Sequence, residues 1–292
     1  MQLALKVDVD TRIGLAEGVP RMLGLLRRYG IRASFFVSFG PDHSGRAIRR
    51  IWRPSFILKM LRTNPFRLYG VKTLLSGTLL PSKPIGDENP APLRAIVDAG
   101  HELGIHGYDH VFWQDRLEKL GEAEIQAELE RSVGAYERIL GAPPRATAAP
   151  GWRCTQASLA VQDRLGFDYA SDVRGAAPFY PSAGGKTFNT LQIPTTLPTL
   201  DELIGREPRL NDALLSSLRD GLNVHTVHAE VEGRPYISVF EELLQEIRRR
   251  SIETILLRDI AVSLVAKGIN PPPRAVARGS VPGRSGWVAK TE

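Results

Sequence analysis

Two periods of apolar and polar positions take turns along this chain. Residues 2–9 form a nearly continuous apolar run, Leu3-Ala4-Leu5-Lys6-Val7, which predicts a buried strand that ends in Asp8-Val9-Asp10. A helical stripe of Val19, Leu23 and Leu26 predicts a helix over 15–29, and Arg32 to Ser38 predicts a second strand. Pro92 to Ala99 reads as helical and His101 to Ile105 as extended. Ile125, Leu129, Val133, Tyr136 and Leu140 recur at helical spacing and predict a helix from Glu122 to Leu140. Shorter strands are expected near 145–149, 167–171 and 189–193, then from Val224 to Ala229 and from Glu253 to Leu257. Repeated βα alternation of this kind predicts an α/β fold with a parallel sheet, and the number of units favours a barrel over an open sheet. Active residues would then gather at the C-terminal ends of the strands, where Asp10, His106 and His228 fall.

Residues 41–92 interrupt the alternation as an insertion into a single barrel domain of residues 1–267. Ile48, Ile51 and Trp52 share one helical face, with Arg49, Arg50 and Arg53 opposite. Pro54 should break that piece, and beyond it Phe56, Ile57, Met60 and Leu61 make a new apolar face opposite Lys59 and Arg62. Basic amphipathic helices carrying Trp and Phe suit a membrane interface, but a lid with a solvated basic face has the same pattern. The tail, 268–292, is rich in Pro, Gly and Arg without a helical period, consistent with either a loose end or a strap.

Charge sharpens this division. Between Asp42 and Asp87 lie nine basic and no acidic residues, and the rest of the chain carries 29 basic against 32 acidic. The formal charge of +6 therefore resides in the insertion. No nucleic-acid recognition motif accompanies it, so no nucleic-acid partner is expected. A single cysteine, Cys154, excludes an intramolecular disulfide and suits a reducing compartment. No leader pattern and no apolar run of about 18 residues is present, which predicts a cytoplasmic protein without a membrane span.

The candidate chemistry lies at strand ends. Asp8 and Asp10, two apart on a strand, face one side. His106-Gly107-Tyr108-Asp109-His110 closes a second strand, and a helical turn there would put both imidazoles on one face. Two His and one Asp can hold a divalent metal with open positions, leaving the second Asp as candidate base for the attacking water. In Val224-His225-Thr226-Val227-His228, alternation puts His228 on the face opposite His225. His228 is the candidate general acid and His225 a structural histidine. Together these residues predict a metal-dependent hydrolase.

These motifs resemble the NodB-type polysaccharide deacetylases, carbohydrate esterases built on a distorted (β/α) barrel. The resemblance implies that Asp8 is the base, that Asp10, His106 and His110 bind the metal, and that His228 is the acid. It makes Gly151 and Trp152, in Ala149-Pro150-Gly151-Trp152, one wall of the groove and a source of an oxyanion-stabilising amide. Asp172 takes the place of an aspartate that orients catalytic groups. There are two departures. Val9 separates aspartates that are usually adjacent, and Ala148 stands where an arginine usually braces the base, leaving Arg153 or Arg174 as substitutes.

A narrower resemblance spans nearly the whole chain. Asp8-Val9-Asp10-Thr11, Pro150-Gly151-Trp152-Arg153, Ile204-Gly205-Arg206 and His228-Ala229-Glu230-Val231-Glu232-Gly233 are similar to the formamidoarabinose-phosphoundecaprenol deformylase branch. This implies hydrolysis of a lipid-linked formamidoarabinose at the cytoplasmic face of the inner membrane, in lipid A modification and resistance to cationic peptides. It also implies one divalent cation (Zn, Mn, Co, Fe or Ni), with Arg12, Arg153 and Arg174 as candidates for the carrier phosphate. Arg49, Arg50, Trp52, Arg53, Phe56 and Lys59 become membrane contacts, and no obligate protein partner is inferred. Rival readings are a polysaccharide or peptidoglycan N-deacetylase, a small-amide hydrolase, and a membrane- or nucleic-acid-binding protein with an inactive barrel.

Overall fold

A computed structural model describes residues 1–46, 60, 62 and 73–291. The expected interface residues Arg49, Arg50, Trp52, Arg53, Phe56 and Lys59 lie outside the described residues. The first strand, β1 (Gln2–Val9), is buried almost along its whole length, because both its faces are covered. Leu3, Leu5, Val7 and Val9 join the core beneath the outer helices, whereas Ala4 belongs to a second cluster with Phe36, Tyr169 and Val224. By the period of two, Lys6 and Asp8 share the Ala4 side, which is the concave side of the sheet.

Around β1 the main sheet is parallel throughout. On one edge runs β2 (Ser34–Val37), followed by β3 (Glu102–Ile105), β4 (Ala146–Thr147), β5 (Tyr169–Ala170) and β8 (Leu191–Gln192). A small side sheet holds β6 (Tyr180–Ala183) and β7 (Lys186–Thr187). The other edge of β1 pairs with β9 (Leu222–His228), and β10 (Glu253–Thr254) pairs with the start of β1. Thr196 and Leu197, just after β8, donate to the Val224 carbonyl on β9 and curl the sheet back towards its beginning. Registers stack the concave side in layers: Lys6 lies beside Ser34 and Thr226, and Asp8 beside Phe36 and His228.

The helices follow the predicted alternation. A wide turn over Gly14–Gly18 leads into α1 (Val19–Tyr29), which ends at Gly30 in the left-handed conformation that favours glycine. The others include α2 (Pro90–Asp98), α3 (His110–Arg116), α4 (Glu122–Leu140) and α5 (Gln156–Leu165). Later come α6 (Leu200–Leu203), α7 (Leu210–Ser216), α8 (Ile237–Arg249) and α9 (Leu257–Ala266). At the closed end of the barrel Glu102 accepts hydrogen bonds from Ser34 (2.5 Å) and Tyr169 (2.7 Å), so a polar network plugs the end away from the site. No helix among the described residues is long and apolar enough to cross a membrane.

The tail is a strap. Strand β11 (Pro273–Ala275) adds to β6, and β12 (Ala277–Gly279) pairs with β13 (Val288–Lys290). Arg174 donates its amide to the Ala289 carbonyl and accepts from Thr291 N–H, fixing the strap beside the turn that carries Trp152.

Gly18 marks the tightest approach near the functional end. A Cβ there would sit 2.0 Å from the carbonyl oxygen of Ala229, the residue after His228. Since the obstacle is backbone, Gly18→Ala is expected to destabilise the fold by about 2–3 kcal/mol. Urea unfolding of the purified variant against the parent protein measures it; an unchanged midpoint would contradict the packing.

Candidate metal and hydrolase site

Asp10 follows the end of β1, and its carboxylate stands between two imidazoles. Oδ1 lies 3.3 Å from His106 Nε2, and Oδ2 lies 3.2 Å from His110 Nε2. The two rings are 5.4 Å apart and inclined by 33°. The expected helical turn from 106 to 110 does not occur. His106 directly follows β3, Gly107 has φ +65°, and His110 is the first residue of α3. The rings meet because the loop folds back over the strand end, not because they share a helix face.

These three side chains fit a cation. A tetrahedral metal with bonds of about 2.0–2.1 Å sets its ligand atoms about 3.3–3.4 Å apart, and each imidazole Nε2 lies about that far from one Asp10 oxygen, His106 from Oδ1 and His110 from Oδ2. Among the described residues this is the one cluster of three such ligands. Asp10 Oδ1 is buried without a hydrogen bond, an orphaned acceptor of the kind a bound cation would satisfy. Burial works to raise the Asp10 carboxyl, yet His110 and His106 hold it well below its ordinary value, so it presents a carboxylate.

The neighbouring groups arrive from β1 and β9. Asp8, 3 % exposed, takes Lys6 Nζ on Oδ2 at 3.0 Å, and the same oxygen lies 3.9 Å from His106 Nε2. His228 ends β9 in register with Asp8, its ring edge-on to Trp152 at 6.3 Å. Two buried carboxylates steady these backbones. Glu230 accepts from the Asp10 amide at 3.4 Å, and Glu232 accepts from the His228 amide at 2.9 Å. Burial raises both, Glu232 to about 8, and Glu230 well above its ordinary value with help from the charge on Asp10. His225 turns away as expected, contacting the Pro198 carbonyl at 3.1 Å, and burial lowers it to about 3.

Trp152 forms the wall. Both Gly151 (φ +64°) and Trp152 (φ +52°) adopt left-handed backbone; for tryptophan this conformation is strained and is held by its surroundings. Its indole N–H donates to Thr195 at 2.9 Å, while Arg174 and Arg284 stack on the ring at 5.1 and 4.4 Å. The Trp152 amide donates to Ala149 at 3.1 Å within its own turn and is thereby committed away from an oxyanion. Asp172 does not contact the ligands. Its carboxylate receives the Ala149 amide (2.7 Å), Gln162 (2.7 Å) and Gln192 (3.0 Å), so it orients the wall from behind.

The arginines expected to brace the base are engaged elsewhere. Arg153 donates to the Gln114 carbonyl and stacks on Trp287, and Arg174 pairs with Glu202 at 2.7 Å. Arg12 donates its amide to Asp42 at 2.9 Å, and its buried Nε has no hydrogen bond. Cys154 is a buried free thiol, pushed well up by burial, as a structural cysteine would be. Residues absent from the sequence reading of the site are Lys6, Glu128, Thr195 and Arg284. Of these, Lys6 alone left a signal: a charge on the same strand face as Asp8, inside an apolar run.

Behind His110, Glu128 on α4 accepts the Asp109 amide at 2.6 Å, and Asp109 in turn caps α3 through the Phe112 amide and holds His43 at 2.5 Å. Burial, opposed by this hydrogen bond, raises Glu128 to about 7. An acid raised on folding contributes stability that is lost as pH climbs from its ordinary value through the raised one. Glu128→Gln cannot ionise, so its stability relative to the parent should improve by about 2 kcal/mol between pH 5 and pH 8. Urea titrations at both pH values measure this; a difference independent of pH would contradict the assignment.

Comparison with known proteins gives the family and the fold. A family model for polysaccharide deacetylase matches residues 3–170, a span that includes Asp8, Asp10, His106 and His110 but not His228. A Shewanella sediminis protein named "Probable 4-deoxy-4-formamido-L-arabinose-phosphoundecaprenol deformylase ArnD" is 38% identical over 99% of this chain and 94% of its own. A protein of the same name from Wigglesworthia glossinidia brevipalpis is 34% identical over 95% of this chain and 98% of its own. The crystal structure of a Mycobacterium smegmatis protein, assigned by its name to the polysaccharide deacetylases, superposes with TM-score 0.64 at 20% identity. It covers 96% of this chain and 94% of its own, a likeness of fold.

Proposed function

This chain belongs to the polysaccharide deacetylase family, in the branch of the ArnD deformylases, and from that premise we propose that it hydrolyses the formamide of 4-deoxy-4-formamido-L-arabinose-phosphoundecaprenol. The products are formate and the free 4-amino sugar on its lipid carrier. The observation that carries this reading is the Asp10–His106–His110 cluster beside Asp8 and His228, within a chain similar to those relatives along nearly all its length.

A divalent cation on Asp10, His106 and His110 would supply Lewis-acid polarisation of the formyl carbonyl and lower the pKa of water. Asp8 takes the proton from the attacking water, and its buried Oδ1, which has no hydrogen bond, is the available acceptor. His228, half-buried at the strand end opposite Asp8, delivers a proton to the departing nitrogen. Trp152 closes one side and excludes water, with Arg174 and Arg284 against its ring. Arg12, whose Nε is unsatisfied, is the first candidate for the carrier phosphate, and a charge-assisted hydrogen bond would satisfy it.

Mass spectrometry of the lipid-linked formamidoarabinose after incubation with metal-loaded protein tests this reading. Amine and formate should appear together. Cleavage of N-acetylated glycans instead, with the formamide intact, would favour the polysaccharide deacetylase alternative. Asp10→Asn and His106→Ala should lose metal in calorimetric titration. Asp8→Asn should keep the metal while kcat falls by about 10²–10⁴. A metal-free Asp10→Asn variant with full turnover would refute the assignment.

The basic insertion, 41–92, is the surface through which this protein reaches a membrane-anchored headgroup. Each Lys or Arg near an anionic bilayer contributes about 1 kcal/mol. Replacing Arg49, Arg50, Arg53 and Lys59 with Gln should therefore weaken sedimentation with phosphatidylglycerol vesicles by two orders of magnitude or more, while turnover of a water-soluble formamido sugar persists. Undiminished sedimentation would return the insertion to the role of a solvated lid.

A further inference from the structure

We propose that Lys6 is a positioning residue for the base: its ammonium ties down Asp8 Oδ2 and so aims the other carboxylate oxygen, Oδ1, at the attacking water. This rests on the reading of Asp8 as the base. Lys6 is 0% exposed, and its Nζ lies 3.0 Å from Asp8 Oδ2. A wholly buried lysine is unusual, because a desolvated ammonium is costly unless paired. Here it is paired with one carboxylate oxygen and sits over the rings of Trp152 (5.3 Å) and Phe36 (5.6 Å). The two aromatic faces supply further attraction to a cation and enclose it.

The geometry distinguishes the two oxygens of Asp8. Oδ2 is held by Lys6, whereas Oδ1 is buried and has no hydrogen bond. An aspartate with one oxygen anchored has lost the freedom of its χ2 torsion, and its second oxygen points in one direction. General-base catalysis needs this, since the acceptor must lie within hydrogen-bond reach of the proton it removes. The strand enforces the arrangement without a loop. Lys6 and Asp8 are two apart on β1, so their side chains share the concave face, and the register fixes β9 and β2 on either side. Ala148, where an arginine would be expected, has no group to offer; Arg153 and Arg174 are engaged elsewhere. The charge arrives instead from within the strand that carries the base.

Lys6→Met and Lys6→Gln test this, each in the full-length protein. Calorimetric zinc titration should give an affinity within fivefold of the parent for both. For Lys6→Met, kcat for formate release should fall about 100-fold or more with KM within threefold. Lys6→Gln keeps a donor for Oδ2 and should recover about tenfold of that loss. In an Asp8→Asn background, adding Lys6→Met should change kcat by less than threefold, because the residue acts through Asp8. The double variant removes both charges, leaves none unpaired, and guards against a single variant that fails to fold.

A crystal structure of metal-loaded Lys6→Met should show Asp8 rotated or in several rotamers with Asp10, His106 and His110 unmoved. Unchanged Asp8 in the Met variant, kcat within threefold of the parent, or an additive loss in the Asp8→Asn background would each overturn the proposal. If the parent protein releases no formate, the functional reading fails, and the Asp8 rotamers still decide the role of Lys6.

Discussion

Charge buried inside a parallel barrel is the constraint on which the rest of this structure depends. Asp8, Lys6 and His106 are almost wholly buried, and Asp10 stands beside them at the rim. Removing such groups from water costs several kcal/mol each, so they persist only where each has a partner. Lys6 answers Asp8, and the two imidazoles answer Asp10. A divalent cation on Asp10, His106 and His110 would add positive charge where the carboxylates stand, consistent with a family that is metal-dependent. The same desolvation that makes the cluster costly strengthens every interaction within it.

The parallel register turns this constraint into geometry. Asp8 and His228 are direct neighbours across β1 and β9, although 220 residues separate them in sequence. The proposed base and acid, on adjacent strands of one sheet, keep their spacing without dependence on loops. The histidine loop, by contrast, needs a special backbone, and Gly107 supplies it. Glu230 and Glu232 then hold the amides of Asp10 and His228, so both side chains are steadied from their own main chain. This explains why acidic residues crowd a site that already holds Asp8 and Asp10.

How much of this was legible in sequence depends on how local its cause is. The strand 2–9 and the helix 122–140 have unbroken periods and fold as the pattern predicts. The alternation in Val224 to His228 separates His225 from His228 correctly, because burial on both faces leaves the period of two intact. The turn at 106–110 misleads: HxxxH spacing imitates a helix face, while Gly107 diverts the backbone and only Asp109 starts the helix as its cap. Partner choice was the least legible. Arg153, Arg174 and Lys6 are all cations near the wall, and which one reaches Asp8 follows from strand direction and register, not from residue type. The tail, without a period, gave no indication of order, because its strands borrow their hydrogen bonds from Arg174 and the side sheet.

That strap links the insertion to the chemistry. Arg62, from within residues 41–92, donates to the carbonyls of Asp201, Glu202, Ile204 and Gly283, joining insertion, α6 and tail at one guanidinium. Gly283 precedes Arg284, which stacks on Trp152, and Glu202 on α6 pairs with Arg174 on the same ring. A chain of contacts therefore runs from the basic insertion to the wall of the site through four segments distant in sequence. None of them alone could fix the wall, since the left-handed Trp152 is strained and needs support from outside its own turn. Arg62 of the insertion and the wall of the site are thus held by a shared set of hydrogen bonds. Arg62 cannot shift without releasing backbone carbonyls of both α6 and the tail, the two segments that support the wall.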